Sequence, residues 1–333
     1  MNKLTFPILQ ILSDGQFHSG EDLAQRFKVT RATIWNAIKH AETLGVTVFS
    51  VRGRGYKLPQ AIDFLDKNLV LSAIGEQREW FNLIILDDVN STNTYLMQQK
   101  NVPHATCVAA HIQTSGKGRR GRTWVSHLGA SLTFSLLWRF QCGAAALSGL
   151  SLAVGVALIR TLASLDINQA QLKWPNDVLI GGEKLAGILI ELQGDLDGPS
   201  TAVIGVGINL NLPKAVIESI DQPTTDLSKV SNKVINQNIL LGTLLKHLAE
   251  VLNRFEQLGF IGLRDEWLSY HAYHNQQVRM LMPNATEVFG VVKNVAEDGI
   301  LMVQTSLGLQ RFSAGEISLR PLSAGDNAHV TGD

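Results

Sequence analysis

The segment from Gln113 to Arg122 reads QTSGKGRRGR and places four cations and three glycines in one loop. Glycine lets backbone N–H groups approach a ligand closely, and guanidinium groups hold carboxylate or phosphate oxygens two at a time. The segment follows a strand-like run, Ala105 to His111, and precedes another, Ser131 to Trp138, so we expect it at the end of a sheet, where α/β proteins bind ligands. Neither the Walker A pattern nor GxGxxG fits it. The residues favour an anion-binding loop over a solvated basic turn or a nucleic-acid patch.

Two other polar segments lie between predicted strands and helices. Asp88 to Asn93 reads DVNSTN at a strand-to-helix junction, where Ser91 or Thr92 can cap the helix. Lys173 to Asp177 reads KWPND, and its Asn-Asp pair can serve a metal or orient a lysine.

Lys184 opens the apolar run KLAGILIE, which ends at Glu191. A lone lysine before such a strand is usually a surface residue. The neighbouring motifs favour a functional role for Lys184 instead, because KWPND precedes it and the glycine-rich GVGIN, Gly205 to Asn209, follows it. Together these segments are suited to bringing two anions together.

The composition sets the frame for this chemistry. With 333 residues, 45% of them hydrophobic, and a net charge of zero, the chain is expected to form two or three globular domains. Cys107 and Cys142 are its only cysteines and have no partner at metal-ligand spacing, which fits a reducing cytoplasm. The first ten residues do not resemble a signal peptide. The uncharged run from Phe140 to Ile159 is rich in Ala and Gly, so a helix buried against a sheet is favoured over a membrane span.

The N-terminal region predicts three helices in helix-turn-helix spacing. The first covers Leu4 to Leu12, the second starts after a Ser19 cap, and the third runs from a Thr30 cap to a stop at Gly45. A basic hairpin tip, Arg52 to Gly55, follows between two β-prone runs. We therefore predict a winged helix-turn-helix over residues 1–62.

This winged helix is basic, because residues 1–62 hold eight Lys/Arg against four Asp/Glu, a net +4. A helix-turn-helix can also serve protein contacts alone, but the local charge and the arginines of the wing favour DNA. The residues expected at the DNA are Gly20, Arg31, Ala32, Thr33, Asn36, Lys39, Arg52 and Arg54. We expect this domain and the anion loop to form separate packed units.

After a linker at about residues 59–67, the remaining chain predicts two more regions. Residues 66–270 alternate strands and helices, including a long helix over Ala144 to Leu165. Residues 275–322 hold short β-prone runs with turns at Pro283-Asn284 and Asp298-Gly299, which predicts a small β-barrel. The chain is thus expected to be a multidomain α+β protein.

Five segments together resemble the biotin protein ligases. They are Asn90 to Asn93, Gln113 to Trp124, Lys173 to Asp177, Lys184 to Glu191 and Gly205 to Asn209. With the winged helix before them and the small β-domain behind, the chain to about Leu322 is similar to the bifunctional biotin ligases and biotin operon repressors of the BirA type. This resemblance implies a central mixed α/β domain of the class II synthetase and biotin–lipoate ligase type, followed by an SH3-like domain.

The resemblance also implies the reaction. ATP and biotin give biotinyl-5′-AMP, with Mg²⁺ offsetting charge, and a lysine of the biotin carboxyl carrier protein of acetyl-CoA carboxylase then receives the biotin. The implied catalytic residues are Lys184, Arg119 and Asp177, and Asp177 is the implied Mg²⁺ ligand. The implied biotin-binding residues are Ser91, Thr92, Asn93, Gln113, Lys117, Gly118, Arg119, Trp124, Lys184, Gly187, Leu189 and Gly205. The implied nucleotide-binding residues are Arg119, Arg120, Arg122, Asn176, Lys184 and Asn209.

Two features depart from the family's pattern. Lys117 stands where the family usually has arginine, so a bidentate contact becomes a point charge. Residues 211–253 contain no aromatic residue to cover the adenine, and Val216, Ile217 and Leu227 are the alternatives.

The partners expected are the carrier protein, operator DNA and a second copy of the chain. A single winged helix contacts one half-site, so pairing two copies when the adenylate is bound would make biotinyl-5′-AMP a corepressor. Two other functions use similar residues: a lipoate-type acyl-adenylate ligase, and a ligand-sensing repressor without catalysis. The KWPND and GKGRRGRTW segments disfavour the first, and Lys184 with Arg119 disfavours the second.

Overall fold

The structure is a computed structural model that describes residues 2–194, 198–282, 286–314 and 318–321. The elements of the first half are α1 (Thr5–Leu12), α2 (Gly20–Phe27), α3 (Arg31–Thr43), β1 (Phe49–Val51), β2 (Gly55–Lys57), α4 (Lys67–Ile74), β3 (Asn82–Val89), α5 (Thr92–Gln98), β4 (Thr106–Gln113), β5 (Gly116–Lys117), β6 (Thr123–Trp124), β7 (Ser131–Phe140) and α6 (Leu150–Ser164). Short 3₁₀ segments cover Gly75–Trp80, Arg119–Gly121 and Ala144–Leu147.

The second half adds strands, then helices, then a block of strands. These are β8 (Gln171–Lys173), β9 (Asp177–Ile180), β10 (Glu183–Gly194), β11 (Ser200–Asn209), α7 (Lys214–Ser219), α8 (Leu227–Val230), α9 (Gln237–Leu258), α10 (Ile261–Ser269), β12 (Gln277–Leu281), β13 (Glu287–Val295), β14 (Leu301–Thr305), β15 (Gly308–Phe312) and β16 (Ser318–Pro321). The largest sheet has the order β3-β4-β7-β11-β10-β9-β8. Its β3 and β4 are parallel, whereas β8, β9 and β10 pair antiparallel.

The described chain divides into two compact units. The first comprises residues up to 136 together with 207–219 and 226–242, and the second comprises the rest. The winged helix shares a unit with β3 and β4, and the block β12–β16 shares one with β8–β10. The domain boundaries 1–62, 66–270 and 275–322 remain predictions about the organisation of the sequence.

In the first unit, α1, α2 and α3 form the predicted helix-turn-helix, and β1 and β2 form the wing. Their hydrophobic core contains Leu9, Leu23 and Ile38, but it also contains Ile112 of β4, and Leu128 packs against it. The expectation of a separately packed winged helix is therefore wrong, because part of its apolar core comes from the region that follows.

Side-chain caps begin the helices of this unit. The Ser19 hydroxyl accepts the Asp22 N–H at 3.0 Å, and the Thr30 hydroxyl accepts the Thr33 N–H at 3.2 Å. Such caps satisfy backbone donors that the first helical turn leaves without a partner. Both predicted helix starts are confirmed.

In the second unit, the predicted helix over Ala144–Leu165 is wrong at its beginning. A 3₁₀ turn covers Ala144–Leu147, and Gly149 then takes a left-handed conformation with φ +82° before α6 starts at Leu150. A Cβ on Gly149 would lie 2.7 Å from the Phe260 Cβ, so close packing as well as conformation requires glycine here. The uncharged run from 140 to 159 is thus interrupted. No helix among the described residues is long and apolar enough to span a membrane.

The C-terminal strands form a five-stranded antiparallel sheet in the order β15-β14-β13-β12-β16. The predicted turn at Asp298-Gly299 is present, with Gly299 at φ +79°. The predicted turn at Pro283-Asn284 and the predicted end at Leu322 lie outside the described residues. The strand β16 was not predicted.

Candidate functional site

Helix α3 presents the predicted DNA-facing residues on its solvent side. Ile34, Ala37, Ile38 and Ala41 are buried. Arg31, Ala32, Asn36 and Lys39 are exposed, and Thr33 is half-buried. Because the buried residues repeat at helical intervals, the remaining face is left for a groove, as the sequence predicts.

The wing holds its arginines at the tip of a hairpin. Phe49 pairs with Lys57 and Val51 with Gly55, which leaves Arg52 and Arg54 exposed in the turn. The Arg54 guanidinium lies 4.8 Å from the centroid of the Phe17 ring, and the Lys57 ammonium lies 5.7 Å from it. Such cation–π contacts orient a side chain without neutralising it. Arg54 is therefore oriented at the tip of the wing, and its contact with a phosphate remains a prediction.

Gly20, the remaining residue of the predicted DNA set, begins α2. A Cβ at this position would lie 3.3 Å from a ring carbon of Tyr56 in the wing. Gly20 thus allows the wing to approach the helix-turn-helix closely, and its contact with DNA remains a prediction.

A cluster of buried polar side chains, which we call the cradle, lies where β4 and β7 meet the start of α5. The Thr92 N–H donates to the Gln113 Oε1 at 2.7 Å, and the Thr92 hydroxyl donates to the same oxygen at 3.1 Å. The Ser135 hydroxyl lies 2.6 Å from the Thr92 Oγ1 and 2.5 Å from the Asn93 Oδ1. Ser91 is the cap, accepting the Thr94 N–H at 3.5 Å. Ser91, and not Thr92, is therefore the residue that caps α5.

Burial gives the cradle its rigidity. Ser91, Thr92 and Asn93 expose only 2–3% of their surface, and Ser135 exposes none. A buried polar group that lacks a hydrogen-bond partner costs about 1–3 kcal/mol, so these side chains constrain one another's orientation. The predicted biotin residues 91, 92, 93 and 113 are brought together in this cradle, and Ser135 joins them although no sequence pattern marked it.

The basic loop contains a small hairpin that the sequence did not predict. Strands β5 and β6 pair Gly116 with Trp124 and Lys117 with Thr123. The Gly118 N–H donates to the Arg122 carbonyl at 2.7 Å. Lys117, Arg120 and Arg122 are exposed, whereas Gly118 and Arg119 are half-buried. The cations therefore line a structured turn rather than an irregular loop.

Trp124 ends this hairpin against strand β11. A Cβ on Gly207 would overlap the Trp124 indole and lie 2.8 Å from its Cδ2 atom. Only a glycine leaves room for the ring at this point of β11. Asn209, a predicted nucleotide residue, is buried two residues further along the strand.

In the second unit, Lys184 and Asp177 form an ion pair. The Lys184 Nζ lies 2.6 Å from the Asp177 Oδ1, and the Lys173 Nζ lies 4.0 Å from the Oδ2. The three side chains are 13–16% exposed, so solvent screens them only in part. Of the two roles predicted for the Asn-Asp pair, the geometry favours orienting the lysine.

Strand pairing holds this ion pair in place. Lys184 pairs with Leu179 across β9 and β10, and a bulge before Ala186 brings Gly187 opposite Asp177. The Asn176 side-chain amide donates to the Ile188 carbonyl at 2.8 Å, which ties KWPND to the same strand. Leu189 is half-buried on β10 and Gly205 is buried on β11, as sites for an apolar ligand require.

Two long-range interactions support KWPND and were not predicted from the sequence. The buried Trp174 Nε1 donates to the Gly299 carbonyl at 2.9 Å, so the β13–β14 turn holds this segment. Tyr273 is 7% exposed, and burial, followed by the charge of Asp177, raises the pKa of its hydroxyl. Trp174 belongs to KWPND and Gly299 to a predicted turn, but the hydrogen bond between them joins residues far apart in sequence. No local pattern marks Tyr273.

Among the described residues, no group of three or more His, Cys, Asp or Glu side chains is arranged to hold a metal ion. Magnesium bound to a nucleotide needs only one or two protein carboxylates, since phosphates and water complete its coordination. Asp177 is a carboxylate that fits this limited requirement. Of the alternatives for covering an adenine, Leu227 is buried, and Val216 and Ile217 are half-buried.

Comparison with known families agrees with this arrangement. Residues 86–209 match the biotin/lipoate A/B protein ligase family, residues 5–57 match a helix-turn-helix domain, and residues 273–320 match the biotin protein ligase C-terminal domain. These matches define the class of protein as a biotin/lipoate-type ligase joined to a helix-turn-helix domain.

Individual relatives narrow the class. The bifunctional ligase/repressor BirA of Salmonella typhimurium is 35% identical over 96% of this chain and 99% of its own length. The protein of the same name from Escherichia coli is 32% identical over 96% and 98%. The biotin protein ligase from Aquifex aeolicus, solved with biotin and ATP, superposes with a TM-score of 0.63, 30% identity and coverage of 72% of this chain and 99% of that one. This chain belongs to the family of bifunctional BirA ligase/repressors, and the predicted resemblance is confirmed.

Proposed function

We propose that the protein activates biotin with ATP as biotinyl-5′-AMP, transfers biotin to a lysine of the biotin carboxyl carrier protein of acetyl-CoA carboxylase, and represses a biotin operon. The observation that carries this proposal is the similarity of nearly the whole chain to a bifunctional ligase/repressor, within which the helix-turn-helix, ligase and C-terminal segments each match their own family model. We propose that these reactions take place in the cytoplasm, where ATP, the carrier protein and the operator are all present.

The first step joins two anions. A biotin carboxylate oxygen attacks the α-phosphorus of ATP, and pyrophosphate leaves. Lys184, held by Asp177 at 2.6 Å, is placed to offset negative charge on the carboxylate and α-phosphate. Arg119, with Arg120 and Arg122, supplies further cations from the basic loop. Mg²⁺, when bound at the nucleotide near Asp177, would neutralise phosphate charge.

The second step transfers the acyl group. The ε-amine of the carrier lysine attacks the acyl carbon of the mixed anhydride, and AMP leaves with its bonding electrons. In this proposal the cradle, with Ser91, Thr92, Asn93 and Gln113, orients biotin through hydrogen bonds. The contacts of Trp124, Leu189 and Gly205 with its apolar ring follow the resemblance. The roles of Lys117, Gly118, Gly187, Asn176 and Asn209 follow the resemblance.

The repressor function uses the same ligand. We propose that biotinyl-5′-AMP promotes homodimerisation, so that two winged helices occupy two half-sites and gain affinity through effective concentration. Abundant unbiotinylated carrier would consume the adenylate and relieve repression.

One experiment separates the candidate activities. The full chain is incubated with ATP, Mg²⁺, a carrier domain and either biotin or lipoate, and the carrier is weighed by mass spectrometry. Biotinylation by the wild type and its loss in Lys184→Met support the proposal. Lipoylation in its place would make the protein a lipoate ligase, and no modification with retained biotin-dependent operator binding would make it a non-catalytic repressor.

A further inference from the structure

The DNA-facing side of α3 carries a large aromatic side chain in solvent. Trp35 is 52% exposed and lies on the solvent face of α3, opposite the buried face that holds Ile34 and Ala37. An exposed tryptophan leaves an extensive apolar area in water, and such areas often mark interaction sites. The sequence pattern did not identify Trp35, because the helical periodicity of α3 marks only the apolar residues of its buried face.

Cations lie on both sides of this ring. Arg31, Trp35 and Lys39 follow one another at intervals of four residues, so they form a single stripe along α3. The Lys39 ammonium lies 5.9 Å from the centroid of the Trp35 ring. The stripe belongs to a region with a net charge of +4. Glu42 pairs with Lys39 at 2.7 Å and Glu21 lies 4.0 Å from Arg31, but such exposed ion pairs are weak and leave both cations able to contact another anion. An anionic partner therefore fits this stripe.

We infer that Trp35 is a base-reading residue of the repressor and that it reads a thymine in the major groove. The inference rests on the proposed function as a repressor, and it goes beyond that function by assigning specificity to one side chain. A second copy of the chain is disfavoured as the occupant, because it would bring the same positive stripe against this one.

Thymine follows from the chemistry of the indole. The ring offers an apolar face and one N–H donor, with no acceptor. In the major groove thymine presents a methyl group beside the O4 acceptor, so one base edge satisfies both properties of the side chain. Guanine and adenine also present acceptors to which the indole can donate, but neither carries a methyl group for its apolar face. Cytosine presents only an amino donor, which the indole cannot accept from. Arg31 and Lys39 would contact phosphates, which orient the helix without reading sequence.

The test begins with selection of DNA duplexes by the full chain in the presence of biotin and ATP. The affinities of wild type, Trp35→Ala and Trp35→Gln are then measured on the selected duplex and on random DNA. We expect both variants to lose about 10- to 100-fold on the selected duplex and to keep their affinity for random DNA, as for the loss of one base-pair contact. Trp80→Ala is the matched control, because Trp80 is 54% exposed but lies outside the winged helix.

A second measurement isolates the methyl group. Each thymine of the selected duplex is replaced by uracil, which lacks only that methyl. At one position per half-site, we expect wild-type affinity to fall about fourfold, the effect of one buried methyl group. The same replacement should leave the affinity of Trp35→Ala unchanged.

The outcomes separate the inference from the proposed function. Trp35 is not a base reader if the wild type selects a sequence and Trp35→Ala binds that sequence as tightly as the wild type does. The same conclusion holds if Trp35→Ala loses as much affinity for random DNA as for the selected duplex. In both cases the repressor function stands. If the wild type selects no sequence, the repressor function itself fails. Biotinylation of the carrier by Trp35→Ala should equal that of the wild type, and a loss would indicate misfolding; Trp35→Gln then decides between them.

Discussion

The reading face of α3 and the cradle at α5 lie in the same compact unit but expose their chemistry in opposite ways. On α3 the scaffold is buried and the functional side chains stand in water, with Arg31 74% exposed. In the cradle Ser91, Thr92 and Asn93 are 2–3% exposed and hydrogen-bond to one another or to their neighbours. Side chains in water can change one at a time, whereas those of the cradle depend on their neighbours. The reading face can therefore adapt to a new operator, and the cradle is expected to tolerate little change.

The largest effect is expected where β11 meets Trp124. Gly207→Ala should lower the free energy of unfolding by about 3 kcal/mol, because the new methyl group overlaps the indole and forces it to move. Urea denaturation measures this change. The double variant Gly207→Ala with Trp124→Leu should recover part of the stability, since leucine is smaller. Equal stabilities of wild type and Gly207→Ala would contradict the close contact.

The next effect concerns the packing of the winged helix on β4. His111 is 6% exposed between Phe6 and Phe64, with ring centroids 5.8 and 4.9 Å away. Burial lowers its pKa from 6.5 to about 4. As the pH falls below 6.5, the His111 side chain therefore gains a proton in the unfolded chain but stays neutral in the folded chain. Protonation of the unfolded chain lowers the free energy of unfolding.

Between pH 7 and pH 5 we expect His111 to account for a loss of about 2 kcal/mol in the free energy of unfolding. The variant His111→Phe, which keeps a ring of similar shape, should show a correspondingly weaker dependence on pH. Urea denaturation of both proteins at the two pH values measures the difference, and parallel pH profiles would refute the prediction.

A smaller effect tests the interdependence of the cradle directly. Ser135→Ala removes a hydroxyl that contacts both Thr92 and Asn93, and we expect biotin to bind about tenfold more weakly, as for one lost buried hydrogen bond. Calorimetric titration with biotin measures the affinity. Thr133→Ala is the control, because its buried hydroxyl on the same strand donates to the Ala110 carbonyl instead. Equal losses in both variants would mean that the strand, and not the cradle, is responsible.

The smallest effect is expected on the exposed surface. Arg54→Ala should weaken operator binding about threefold at physiological salt and reduce the salt dependence by about one counterion, as for one phosphate contact. Electrophoretic shifts at several salt concentrations measure both quantities. Arg78→Ala, an exposed arginine outside the winged helix, should change neither. An unchanged salt slope in Arg54→Ala would remove this residue from the DNA interface.

The difference between the reading face of α3 and the cradle also explains which features the sequence could predict. The helix-turn-helix depends on local signals, such as the Ser19 and Thr30 caps and the stop at Gly45, which were interpreted correctly. Ser135 could not be found in this way, because its contacts span 42 and 43 residues. Gly149 was missed because the surrounding alanines favour a helix, while its close contact is with Phe260, which precedes α10 far along the chain. Local chemistry was accessible from sequence, and long-range packing was not.

The contribution of Ile112 to the core of the winged helix has an evolutionary consequence. An apolar residue here is useful only while a DNA-reading module covers it, together with Leu128. A descendant that lost the module would expose both side chains to water and would be selected for polar replacements. Polar residues at these two positions in a relative's sequence would then indicate that its ligase had lost the DNA-reading module.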